Sequence, residues 1–124
     1  MDDLQLEQGI QDLIEKRTGL KTPDAARGVA FEVIKIDDNC IQVKTEKGGR
    51  IKIDRYLPVI VLKLISDRQD EDWIKVSDPD LQMIAFSENS RNGCLSYLLP
   101  VLEAIGVIEI DRKRPNKVRI LFRD

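Results

Sequence analysis

Residues 87–122 read SENSRNGCLSYLLPVLEAIGVIEIDRKRPNKVRILF. Two periods meet in this stretch. Leu95, Leu98, Leu99, Leu102 and Ile105 recur at the i, i+3, i+4, i+7 spacing of one buried helical stripe. Gly106 stands where a helix ends on a left-handed residue, and Val107 is placed to fold back onto the last turn. The period then drops to two. Ile108 and Ile110 alternate with Glu109 and Asp111, and Val118, Ile120 and Phe122 alternate with Lys117, Arg119 and Leu121, which predicts two strands. Between them Arg112, Lys113, Arg114, Pro115 and Asn116 make a basic loop with turn residues at its tip.

Working back toward the N-terminus, Ser77-Asp78-Pro79 is a helix start, with a capping side chain followed by Pro in the first turn. Leu81, Ile84 and Ala85 form the inner stripe of that helix. Trp73-Ile74-Lys75-Val76 reads as a short strand, and Asp67 to Asp72 as a charged loop. Ahead of it, Val59 to Ile65 is apolar nearly all round, which predicts a helix over 58–66 buried on most sides and central to the core. Asp54 or Leu57 is its expected cap, with Pro58 tolerated in the first turn.

Residues 29–53 alternate as a three-stranded antiparallel meander: Val29, Phe31 and Val33; then Ile41 and Val43; then Ile51 and Ile53. Asp37-Asp38-Asn39 and Lys47-Gly48-Gly49 supply the turns. The outward positions are charged, as in a sheet with one face in water. A helix over 2–18 precedes it, with Leu6, Ile10, Leu13 and Ile14 on one face and Gly19 at its end. Thr22-Pro23-Asp24 is expected to cap one further turn. The chain thus reads as α+β, with a helix-plus-meander subdomain over 1–54 and a second module over 55–124.

From Asp54 onward the order is helix, short strand, helix, turn, helix, strand, strand. This pattern resembles the winged helix-turn-helix superfamily across residues 55–122. The resemblance implies that the helix from Ser90 to Ile105 enters a DNA groove and that 111–117 is a wing tip on the phosphate backbone. It makes Arg91, Arg112, Lys113, Arg114, Lys117 and Arg119 the electrostatic contacts, with Asn89, Ser90, Asn92 and Ser96 near base edges.

Charge distribution agrees with an anionic partner. Residues 1–89 carry 13 Lys and Arg against 18 Asp and Glu, net −5, whereas residues 90–123 carry 7 against 3, net +4. A solvated hairpin has the same composition, so the asymmetry fits a bland reading too. The expected groove helix itself points another way. At 100° per residue, its face opposite the leucines holds Asn89, Gly93, Ser96, Tyr97, Pro100 and Ala104, with no Lys or Arg. Such a face suits packing against another protein chain, with Tyr97 and Pro100 at the interface. Pro100 also removes a helical hydrogen bond, at ~3 kcal/mol in a helix interior, which predicts a kink or two short helices meeting near Leu99.

The chain's 124 residues include no histidine, which removes histidine-based triads and most zinc sites. Cys40 and Cys94 lack metal-type spacing. Together with the acidic start Met1-Asp2-Asp3, this fits a reducing cytoplasm. No apolar run approaches the ~18 residues of a membrane span. A metal-dependent nuclease would need a spaced acid and a residue-x-Lys pair; Asp24 with Gln42 and Lys44 mimics this, but Gln42 is a neutral ligand and both strand residues are ordinary outward positions. The expectation is therefore a non-catalytic DNA-binding protein, with a regulatory role in view, acting on duplex DNA without a cofactor. A protein-interaction or homodimerisation module is the alternative, and a Mg²⁺-dependent nuclease a distant third.

Overall fold

The structure, a computed structural model, describes residues 3–23, 28–68, 73–88, 94–113 and 116–121. Helix α1 (Asp3–Glu15) buries Leu6, Ile10 and Leu13 at helical spacing. It ends at Glu15, three residues short of the expected end at residue 18, and its left-handed residue comes two positions before the expected Gly19. Arg17 takes the left-handed conformation (φ 51°), Thr18 N–H donates to the Leu13 carbonyl at 3.1 Å and Arg17 N–H to Ile14 at 3.2 Å. This is the bonding of a Schellman cap, built on a residue with a Cβ.

The meander has four strands, not three. A short strand β1 (Leu20–Lys21) precedes β2 (Ala30–Ile36), β3 (Cys40–Thr45) and β4 (Arg50–Asp54), all antiparallel in the order β1-β2-β3-β4. The further turn expected after Thr22 falls on 24–27, outside the described residues; the Thr22 amide donates to the Val29 carbonyl at 3.0 Å, and its hydroxyl accepts from Val29 N–H at 2.8 Å, continuing the pairing of β1. Alternation places Phe31, Val33, Ile41, Val43 and Ile53 inside, with a register shift between Val33 and Lys35. We call this sheet A.

Helix α2 (Leu57–Asp67) starts at Tyr56 with no side-chain cap; Asp54 instead accepts from the Tyr56 amide at 2.9 Å. Leu57, Val61, Leu62 and Ile65 are buried, but Val59 is 44% exposed, so α2 has a solvent face despite its apolar sequence. Strand β5 (Ile74–Lys75) follows. Asp78 then caps α3 (Pro79–Glu88), accepting from the amides of Asp80 at 3.0 Å and Leu81 at 3.3 Å. Helix α4 (Cys94–Ala104) keeps Pro100 inside a single helical element, in place of two short helices. It closes on Gly106 (φ 86°), with Val107 N–H on Leu102 and Gly106 N–H on Glu103, the Schellman ending expected from the sequence. Strands β6 (Ile108–Asp111) and β7 (Lys117–Ile120) pair antiparallel, and β5 adds to β7, giving sheet B in the order β5-β7-β6.

The central helix is α4, not α2. It packs against β1 and β4 of sheet A, against β6 and against α3, while α2 packs mainly on α3 and β7. Its sequence carries a second apolar stripe, Tyr97, Val101 and Ile105, at i, i+4, i+8. Tyr97 meets Phe31 edge-on at 5.1 Å between ring centres. Ile105 lies where a Cβ on Gly9 of α1 would come within 3.0 Å of it, so α1 crosses there at a distance suited to glycine. Buried residues from both halves of the chain form one cluster.

Candidate nucleic-acid interface

Of the residues predicted to meet DNA, Asn89, Ser90, Arg91, Asn92 and Arg114 lie outside the described residues. Ser96 is half-buried on α4. Arg112, Lys113, Lys117 and Arg119 fall on the hairpin of sheet B, as their alternation requires. The outward face assigned to Tyr97 and Pro100 is corrected: Pro100 is buried and Tyr97 is half-buried against Phe31. A helix with two apolar stripes on different sides has little surface left, and α4 offers Ser96, Glu103 and Ala104 at its edge.

The hairpin holds much of its charge in internal pairs. Arg112 Nη1 and Nη2 donate to Glu103 Oε2 and Oε1 at 2.7 and 2.6 Å, a bidentate fork from the hairpin back to the end of α4. The hydrogen bonds it donates to Glu103 hold the Arg112 guanidinium above its ordinary pKa. Arg119 donates through Nε and Nη2 to Glu109 Oε2 at 3.0 and 2.8 Å, and its guanidinium stacks 4.6 Å from the centre of the Trp73 ring. Glu109 and Arg119 are directly opposed across β6 and β7, as are Asp111 and Lys117. Lys75 of β5 stands on the other side of Lys117. Lys113 and Lys117 make no ion pair with a described residue. Composition did not reveal Glu103, Glu109, Trp73 and Lys75 as parts of this surface. Glu109 was legible in the register, because a hairpin turning about residue 114 pairs 109 with 119.

Two acid clusters elsewhere are structural. Arg68, at the end of α2, bonds Asp78 and Asp80 at the start of α3. Burial opposes the Asp78 charge, but the Leu81 amide, Arg68 and the Asp80 amide outweigh it and hold its pKa below the ordinary carboxylate value. Arg55 is 5% exposed and donates to Asp3 at 3.0 Å, with Glu7 at 3.9 Å, tying α1 to the β4–α2 link.

For the nuclease constellation, Asp24 lies outside the described residues, Gln42 rests 3.9 Å from the Cys40 sulfur, and Lys44 is exposed opposite Arg50. Among the described residues, no group of three carboxylate or thiol side chains is close enough to hold a metal ion. No described helix is long and apolar enough to cross a membrane. Comparison with protein-family models, curated proteins and solved structures returned no match.

Proposed function

We propose that the chain is a non-catalytic nucleic-acid-binding protein whose C-terminal half is a winged-helix-like module, gripping duplex DNA by its phosphates. The observation that carries this reading is the sheet order β5-β7-β6 behind the succession α2, β5, α3, α4. A short strand between the first two helices closes onto the terminal hairpin, as in a winged helix. The mode of binding differs from the usual one. With α4 packed between two sheets, the wing supplies the contacts through Lys113, Lys117 and the neighbouring Lys75, and base readout by the helix has little support.

The test is fluorescence anisotropy of a labelled mixed-sequence duplex titrated with the whole chain. The expected result is binding that weakens with salt by about 0.9 log unit per phosphate contacted, and a lower slope after Lys75→Gln, Lys113→Gln and Lys117→Gln. No binding at about 50 mM salt overturns the reading.

A second reading, a homodimerisation module, draws on residues other than Tyr97 and Pro100. Tyr56 is 61% exposed and Val59 44% at the start of α2, and Met83 is 67% exposed on α3. Its test is solution mass: Val59→Glu converts a dimer to a monomer if α2 is the contact, and leaves mass unchanged if it is not.

A further inference from the structure

We infer that the outer face of sheet A is a second and separate surface for the phosphate backbone of nucleic acid. It rests on the nucleic-acid reading for the class of its partner, but on none of the wing residues. Because Phe31, Val33, Ile41, Val43 and Ile53 point into the core, their neighbours point out, and the register sets them in rows. Lys35, Gln42 and Lys52 stand side by side across β2, β3 and β4, and Glu32, Lys44 and Arg50 form the next row. Lys21 of β1 is on the flank, beside Ala30. Strand spacing and rise place Lys35, Lys44, Arg50 and Lys52 within a patch of roughly 10 by 7 Å.

These cations face each other. Lys44 is directly opposite Arg50, an arrangement that costs a sheet stability. Lys35 pairs with Asp37 at 3.6 Å, while Lys21, Lys44, Arg50 and Lys52 make no ion pair with a described residue. Carboxylates share the face: Asp37 on Lys35, Glu32 opposite Lys44, the exposed Glu46 two residues beyond Lys44, and Asp54 at its far end, engaged with the Tyr56 amide.

The chemistry of the face selects its partner. It carries no aromatic ring and no exposed large apolar side chain, so it lacks the apolar anchors that carry protein interfaces, from which Lys is depleted. Surfaces that bind nucleic acid are polar and strongly positive. Without rings to stack on bases, contact is with phosphates and is independent of sequence. Gln42, in the middle of its row, adds a hydrogen-bond donor to the four charges.

The experiment compares the intact protein with the variant Lys44→Gln, Arg50→Gln, Lys52→Gln, using labelled mixed-sequence duplex between about 50 and 200 mM salt. Removing opposed cations leaves the melting temperature unchanged or higher, so lost binding is not lost folding. The expected result is about tenfold weaker binding or more and a salt slope smaller by about 2 to 3. Wild-type affinity and slope in this variant, with loss in the Lys75, Lys113 and Lys117 variant, overturns the inference and leaves the wing reading standing. The reverse pattern upholds the inference and removes the wing. Poly-glutamate competing as well as DNA at equal charge overturns the nucleic-acid assignment in favour of an acidic protein partner.

Discussion

Sheets A and B both present cations to solvent, and they differ in how their arginines are held. On sheet B the register sets Arg119 against Glu109 and Lys117 against Asp111, and Arg112 reaches back to Glu103. On sheet A Arg50 stands opposite Lys44 and makes no ion pair with a described residue; each sheet also holds one lysine between a carboxylate and a cation, Lys44 between Glu32 and Arg50 and Lys117 between Asp111 and Lys75. The sequence segment with net charge +4 is thus the one whose described arginines, Arg112 and Arg119, are both paired within the fold, whereas Lys44, Arg50 and Lys52, which make no ion pair with a described residue, lie in the segment with net charge −5. Segment charge is a sum along the chain; surface charge is decided by which residues the strands bring opposite each other.

The comparison breaks most severely at α4, which joins the two sheets. Leu99→Ala is expected to cost about 3–5 kcal/mol and to lower one cooperative denaturation curve; two separated transitions would show that the sheets unfold independently. Next in size, Arg112→Ala with Arg119→Ala removes two ion pairs and the stacking on Trp73. It should destabilise by roughly 1–2 kcal/mol in urea denaturation. The matching change on sheet A, Lys44→Gln with Arg50→Gln, should move the midpoint up by about 0.2–1 kcal/mol or leave it in place. Opposite signs for these two doubles would sharpen the contrast; equal losses would dissolve it.

Acid gives a smaller effect. The Asp78 carboxyl is held below its ordinary pKa in the fold, so its contribution is fully present above the unfolded value near ~4 and is lost as pH falls through the folded one. Stability measured from pH ~5 downward should therefore fall less steeply in Asp78→Asn. Arg17→Gly, which relieves the left-handed residue behind α1, is expected to stabilise by about 0.5–1 kcal/mol in the same assay.

Much of the fold was legible where one local rule acted alone. Gly106 with Val107 announced the end of α4, Asp78 with Pro79 the start of α3, and alternation gave β2, β3, β4, β6 and β7. Readings failed where two rules competed. Gly19 looked like the stop of α1, but Arg17 takes the left-handed position because the last apolar contacts of the helix, Leu13 and Ile14, come earlier. Strand β1 has two residues, too few to show a period. Val101 was hidden by the leucine stripe beside it, and with it the role of α4 as the shared helix. The candidate site was less legible still. The residues of the β6–β7 hairpin were readable from its alternation, but the partners of Arg112 and Arg119 depended on register and on the return of α4, which composition does not carry.

The position of α4 also governs how the molecule can be cut. A fragment beginning after β4 keeps the whole wing but loses Phe31 from Tyr97 and Gly9 from Ile105. Tyr97, Val101 and Ile105 would then lie bare along one helix, an oily strip of the sort that drives aggregation and indiscriminate sticking. Any affinity measured on such a piece would report the wound left by the cut before it reported the terminal hairpin.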